Sequence, residues 1–203
     1  MTYSFFAMMA RMKYIERWAL MRNSATENIS EHSMEVAMLS HGLAIIGNEK
    51  HGKHYNAERA ALLGLYHDAT EIITGDMPTP VKYHDDDIKT AYKRVEEAAG
   101  KSLVEMLPDY MQKYYEPLFS MHEPKSEAST EVREFYELQQ LVKAADKLSA
   151  LIKCIEEEKA GNKEFSTAHL TIFTALSKMQ MPEVETFIED FLPAYSKTLD
   201  ELS

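Results

Sequence analysis

Cysteine is almost missing: among 203 residues only Cys154 occurs, which excludes an internal disulfide and fits a reducing compartment. Glycine and proline stop at seven each, and alternating runs of Val, Ile and Thr are scarce, which argues against a sheet. Basic charge is in deficit, with 22 Lys and Arg against 33 Asp and Glu and a formal net charge of -11. A field of that sign disfavours a DNA or RNA chain, whose binding depends on neutralised phosphates. It leaves room for a small anion held by local positive charge, such as a bound metal ion supplies. Long apolar runs are lacking too. The N-terminal "MTYSFFAMMARMKYIERW" is interrupted by Arg11, Lys13, Glu16 and Arg17, and it has no small-residue cleavage site of the kind that ends a signal peptide. No segment approaches transmembrane length. The expectation is a cytoplasmic protein that binds neither a membrane nor a nucleic-acid polymer.

What is present is helical periodicity. Hydrophobic residues make up 45% of the chain and charged residues 27%, ordinary for a globular protein, and the length suffices for a sizeable core. Apolar positions step by three and four throughout, so the chain reads as all-α, a single helical bundle over residues 1–203. Phe5, Met8, Met9, Met12 and Ile15 predict a core-facing first helix. After "RNSATENIS", Ser30 suits the cap of a second helix ending near Gly47, with His32, Val36, Leu39, Leu43 and Ile46 in one stripe. Asn56 suits the cap of the next helix, which carries "LYHDATEIITGDMPTP". Gly75 fits a left-handed terminator, and Pro78 and Pro80 block continuation. Further helices are predicted over about 86–107 and 110–121, followed by a polar connection, "HEPKSEASTEVRE". A long helix has its stripe at Leu141, Ala145, Leu148, Ile152 and Ile155 and ends near Gly161. Two helices, about 163–179 and 182–202, close the chain, with Pro182 at a first helical position. The metal-site motifs fall within 30–150, and the C-terminal helices are expected to pack on that body.

On a helical wheel, Leu62, Leu65, Tyr66, Ala69, Ile72 and Ile73 share a face, while His67, Asp68 and Glu71 cluster opposite beside Ala60 and Gly64. Small neighbours suggest that a second helix comes close there. His32 continues an apolar stripe from the first turn of its helix. Asp146, in "KAADKLSA", lies at the edge of another. Taken singly, His32 reads as a core histidine and Asp146 as half of a salt bridge. Together, two histidines and two aspartates on three helices form a mixed imidazole and carboxylate set, suited to Mn²⁺, Co²⁺, Fe²⁺ or Zn²⁺. Arg17 offers a donor fork for phosphate oxygens, or a surface ion pair. Trp18 reads as core or as a surface for sugar or base, and Asp76 as a turn residue or an acceptor for a sugar hydroxyl. His84 with Asp85, Asp86 and Asp87 reads as a helix start. His41, His51, His54, His122 and His169 show no partner spacing, and Cys154 reads as a buried, inert thiol.

The order of these motifs resembles the HD-domain metal-dependent phosphohydrolases. More closely, "RMKYIERWALMRN", "TENISEHS", "YHDATEIITGDMPTPVKY" and "LVKAADKLSALIKCIEE" resemble the bacterial YfbR-type 5′-deoxynucleotidases from Arg11 to about Gly161, with extra length around Ser126 to Phe135. The resemblance implies hydrolysis of deoxyribonucleoside 5′-monophosphates to deoxyribonucleoside and phosphate. It implies His32, His67, Asp68 and Asp146 as metal ligands, for Co²⁺ or Mn²⁺ with Zn²⁺, Fe²⁺ or Cu²⁺ as alternatives. It implies that Arg17, Trp18, Asp68, Asp76, Met77, Pro78 and Thr79 contact substrate, that Arg17 and Glu71 are catalytic, and that the chain forms a homodimer. The alternatives are a deoxynucleoside triphosphate triphosphohydrolase, a cyclic-nucleotide phosphodiesterase, or a non-catalytic nucleotide-sensing helical module.

Overall fold

The computed structural model describes residues 2–82, 84–120 and 127–202, with Thr79 and Pro80 described by backbone alone. Among these residues the fold is all-α. The helices are α1 (Phe5–Met9), α2 (Ile29–His51), α3 (Ala57–Tyr66), α4 (Glu71–Thr74), α5 (Thr79–Lys82), α6 (Asp86–Glu105), α7 (Asp109–Tyr115), α8 (Thr130–Lys159), α9 (Ser166–Lys178) and α10 (Pro182–Asp190). Among the described residues the one extended pairing is an isolated antiparallel bridge between Glu16 and Asn28. No helix of the described residues is long and apolar enough to cross a membrane.

The chain forms two compact units. The first comprises Met1–Arg22, Thr26–Ser33 and Leu65–His122, and the second Asn23–Ala25, Met34–Gly64 and Glu123–Ser203. In the first, Phe5, Leu103 and Leu107 form a core that Tyr66, Tyr115 and Phe119 surround. A second cluster, Met12, Ile29 and Ala69, shares the packed Met9, Tyr66 and Phe119 with the first. In the second, α8 is the central helix. Leu141, Ala145, Leu148 and Ile152 of its expected stripe are buried, and Ile155 partly so.

Several element boundaries differ from the periodicity, each for a local reason. The first apolar stretch is not one helix: α1 ends at Met9, a 3₁₀ turn covers Met12–Tyr14, and Ile15 is already extended. Here the chain pairs with a neighbouring segment, Ile29 N–H donating to Ile15 O at 3.0 Å and Arg17 N–H to Glu27 O at 2.9 Å. The α2 cap is Asn28, not Ser30, because Asn28 Oδ1 accepts from Ser30 N–H at 3.0 Å and Glu31 N–H at 3.1 Å. Nor does α2 stop at Gly47. Gly47 is a packing glycine, since a Cβ there would meet the Tyr55 ring at 2.8 Å, and the left-handed terminator is Gly52 at φ +64°. The Asn56 cap forms as expected, accepting from Arg59 N–H at 2.8 Å. Pro80 sits inside the short helix α5, in its first turn, where its missing N–H costs no intrahelical bond. The final stretch is helical only to Asp190, after which Pro193 leaves only 3₁₀ turns. Ser126 and His122 lie outside the described residues; the helix that follows starts at the Ser129 cap.

Candidate active site

The motif helix breaks at its polar residues. Tyr66 ends α3, and residues 67–70 form a turn held by Ala69 N–H to Tyr66 O at 3.0 Å and Glu71 N–H to Asp68 O at 2.9 Å. These bonds span three residues instead of four, so the backbone tightens and the wheel over Leu62 to Ile73 does not apply across it. Ala69 is fully buried, whereas Leu62 and Leu65, expected inward, are 36% and 43% exposed. The small face of α3 packs instead: a Cβ on Gly64 would lie 2.9 Å from Ala37 Cα. That is the close helix approach which Ala60 and Gly64 suggested. Gly75, at φ 74° and ψ 160°, ends α4 in a conformation open essentially to glycine alone.

The tightened turn sets His67 and Asp68 beside His32, which is buried in the first turn of α2. The Nε2 atoms of His67 and His32 lie 3.1 Å and 3.5 Å from Asp68 Oδ2, and the two rings are 5.1 Å apart. Arg17 Nη1 donates to the same oxygen at 3.0 Å. Burial opposes ionisation of Asp68, but His67, His32 and Arg17 outweigh it and hold its carboxyl well below the usual range. The donor atoms of His32, His67 and Asp68 lie within 4.8 Å of one another, the scale on which ligands gather around one ion with bonds of about 2.0–2.2 Å. Imidazole nitrogens with an ionised carboxylate are borderline donors, so this set fits a divalent transition metal.

Glu71, at the start of α4, is 6% exposed, and its Oε2 has no hydrogen-bond partner among the described residues. Burial first, then the Asp68 and Asp76 carboxylates, push its pKa up to about 9, against the pull of Arg17 and Lys82. Asp76 is half-buried and accepts from the Trp18 backbone N–H; burial raises its pKa, Arg17 opposes, and Asp68 adds to the rise. Met77 and Pro78 are half-buried beside it in sequence, and the Thr79 side chain lies outside the described residues. Arg17 is not a surface ion pair: its side chain is 12% exposed and lies between Asp68 and Glu27. Trp18 has a φ of +59°, a left-handed conformation uncommon for a bulky residue and frequent at functional sites. Asp146 sits half-buried on α8 in the second unit.

Sequence reasoning missed Glu27, which lies in both "RNSATENIS" and "TENISEHS". The Glu27 carboxylate reaches three partners, His32 Nδ1 at 3.1 Å, Arg17 Nε at 3.2 Å and Trp18 Nε1 at 2.8 Å. Burial opposes its charge, yet these donors keep its pKa lowered. The only available signal was an acid in a polar connector five residues before a buried histidine. His169 was also misjudged, since its Nδ1 lies 2.8 Å from Glu158 Oε2, and His51 Nε2 lies 2.8 Å from Thr186 Oγ1. Asp85 caps α6 by accepting from Ile88 N–H at 2.7 Å, so the acidic run beside His84 is a helix start. Cys154 is buried as expected.

Residues 4–195 match the family model described as 5′-deoxynucleotidase YfbR-like. The chain belongs to the YfbR-like 5′-deoxynucleotidase family. It is 45% identical over 199 residues to the 5′-deoxynucleotidase VV1113 of Vibrio vulnificus strain YJ016, covering 98% of this chain and 97% of that one. Among solved structures, the HD-domain phosphohydrolase lin2634 of Listeria innocua superposes with a TM-score of 0.77 at 21% identity, over 95% of this chain and 88% of the other. The cyanophage S-2L HD phosphohydrolase DatZ, bound to dA and one catalytic Zn²⁺ ion, superposes with a TM-score of 0.65 at 18% identity, over 98% of this chain and all of the other. Both likenesses establish the HD-type fold of this YfbR-like chain.

Proposed function

We propose that the chain hydrolyses deoxyribonucleoside 5′-monophosphates to deoxyribonucleoside and phosphate at a divalent ion held by His32, His67, Asp68 and Asp146. It is a metal-dependent phosphomonoester hydrolase of the 5′-deoxynucleotidase class. The observation that carries the reading is the convergence of two imidazoles and Arg17 on the single carboxylate of Asp68. Asp146 joins the set on the order of motifs in the sequence. The ion is Co²⁺ or Mn²⁺ in this proposal, with Zn²⁺, Fe²⁺ or Cu²⁺ able to occupy the same donors.

When bound, the ion supplies positive charge to a phosphoryl oxygen and makes water a better nucleophile. Arg17 offers its guanidinium to phosphoryl oxygens beside Asp68 and stabilises their charge as the ester bond breaks. Glu71, buried and four residues beyond His67, exchanges a proton with the attacking water or the leaving group, or orients that water, without serving as a ligand. Trp18, Asp76, Met77, Pro78 and Thr79 contact the nucleoside, with Asp68 at its border. The whole chain acts as one HD-type domain, in the cytoplasm, and as a homodimer. The exposed Met34, Met38 and Ile45 on α2 supply an apolar stripe for that contact, which light scattering at working concentration tests.

A panel of phosphate-release assays over ribo- and deoxynucleoside mono- and triphosphates tests the substrate. Deoxynucleoside 5′-monophosphates should be cleaved well, and ribonucleotides and 3′-monophosphates poorly. Release of triphosphate from deoxynucleoside triphosphates in preference would overturn the monophosphate reading.

A further inference from the structure

Glu27 has no role in the proposed reaction, yet its carboxylate touches three residues of the site, one on the metal side and two on the substrate side. Its Oε1 lies 3.1 Å from His32 Nδ1 and 3.2 Å from Arg17 Nε, and its Oε2 accepts from Trp18 Nε1 at 2.8 Å. The backbone repeats the connection: Arg17 N–H donates to Glu27 O at 2.9 Å, and Glu16 bridges Asn28 on either side of that pair. We infer that Glu27 is a positioning residue that couples the metal-ligand side of the site, through His32, to its substrate side, through Arg17 and Trp18. This inference rests on the metal site and substrate contacts proposed above.

On the metal side, a carboxylate against Nδ1 keeps the imidazole proton on that nitrogen and leaves Nε2 with a lone pair toward Asp68. The His32 side chain is fully buried, so bulk water is not at hand to set the tautomer in place of Glu27. On the substrate side, Trp18 holds a left-handed backbone conformation at φ +59°, a strained one that persists only where the surroundings enforce it. The indole bond to Glu27 and the bond from the Trp18 backbone N–H to Asp76 are such an enforcement. A single carboxylate therefore sets the ring that faces the ion and the two side chains expected to face the nucleotide. A purely structural role, neutralising buried Arg17, would require only the Arg17 contact.

Trp18 is the only tryptophan in the chain, so its emission reports on the Glu27 contact without interference. The experiment titrates Mn²⁺ into chelated protein, following Trp18 emission and, separately, metal affinity by competition with a chelating dye. The wild-type chain, Glu27→Gln, Glu27→Asp and His67→Ala are compared, with circular dichroism confirming the fold of each. In the wild type, Mn²⁺ binding should alter Trp18 emission. Glu27→Gln should weaken metal affinity by roughly 10–100-fold, the usual cost of losing a carboxylate behind a metal-bound histidine, and should abolish the emission response. If Glu27→Gln does not fold, Glu27→Asp decides, since its carboxylate keeps the charge but is too short to hold all three partners. Wild-type affinity and an unchanged emission response in the folded variant would overturn the inference, as would a silent Trp18 in wild-type protein with ion demonstrably bound. If the wild type binds no ion, or His67→Ala binds it equally well, the underlying metal-site reading fails instead.

Discussion

Glu71 shows how little of a residue's role its type reveals. Next to His67 and Asp68 in the sequence, it could be a third ligand, a solvated acid or a proton-transfer group. Its burial, its Oε2 without a hydrogen-bond partner among the described residues and its place four residues beyond His67 favour the last. Glu71→Gln keeps size and polarity but removes the group's ability to take up or give up a proton. The variant should retain metal and deoxynucleotide binding while losing turnover by roughly a hundredfold or more, the scale of general acid–base catalysis. Metal analysis beside the rate measurement decides the matter: an ion lost from Glu71→Gln would make Glu71 a ligand. At this scale His32, His67 and Asp68 could be singled out because imidazole and carboxylate in apolar or small-residue surroundings need partners; Arg17 stood between a phosphate contact and a surface ion pair until the resemblance was drawn. Glu27 could not be singled out. An acid in a polar connector looks solvated until the fold buries it.

At the scale of elements, α3 and the turn after it explain both a success and a failure. Ala60 and Gly64 predicted a close helix contact, and Gly64 meets Ala37 through backbone atoms, with a Cβ reaching 2.9 Å from Ala37 Cα. Backbone cannot step aside as a flexible side chain can. Gly64→Ala should therefore destabilise the chain by about 1–3 kcal/mol, the range of overpacked cores, against the gain expected from alanine in a helix. Urea unfolding measures this, and an unchanged or raised midpoint would show that the helices separate freely. The break at residues 67–70 was invisible to periodicity because Ala69 stays buried and Ile72 half-buried across it, so the apolar pattern runs on while the hydrogen bonds shorten to three residues. Likewise, the N-terminal stretch has helical spacing, but its chain pairs with residues 27–29, a partner no local window includes.

At the scale of the whole molecule, excess negative charge coexists with buried carboxylates that the fold must keep ionised. Glu157, 1% exposed, accepts from Lys153 Nζ at 2.5 Å, Ser24 Oγ at 2.7 Å, Ser24 N–H at 2.8 Å and Asn162 Nδ2 at 2.8 Å. Burial opposes its charge, but these donors win and hold its pKa far below the usual range. A carboxylate depressed in the folded state adds stability above its unfolded pKa of about 4.3, and that stability fades as pH falls toward the folded value. Glu157→Gln should cost about 3–5 kcal/mol at pH 7, since Lys153 stays buried without its charge partner. The gap between wild type and variant should narrow as pH drops below about 4. Denaturant melts at both acidities measure it, and a gap that is constant with pH would contradict the account. Helical class and family could be read from the whole sequence; the division of the chain into two units could not, because α2 and α3 each run through its boundary without a break in pattern.

The central proposal is that His32, His67, Asp68 and Asp146 hold a divalent ion for phosphate release from a deoxynucleoside 5′-monophosphate. The most direct test measures that release by chelated wild-type protein, before and after Co²⁺ or Mn²⁺ is returned, with metal content determined alongside for His67→Ala and Asp146→Ala. The account predicts that activity is abolished by chelation and restored by the ion in the wild type, and that both variants lose bound metal and stay inactive. Full activity in metal-free protein, or in His67→Ala, would contradict it.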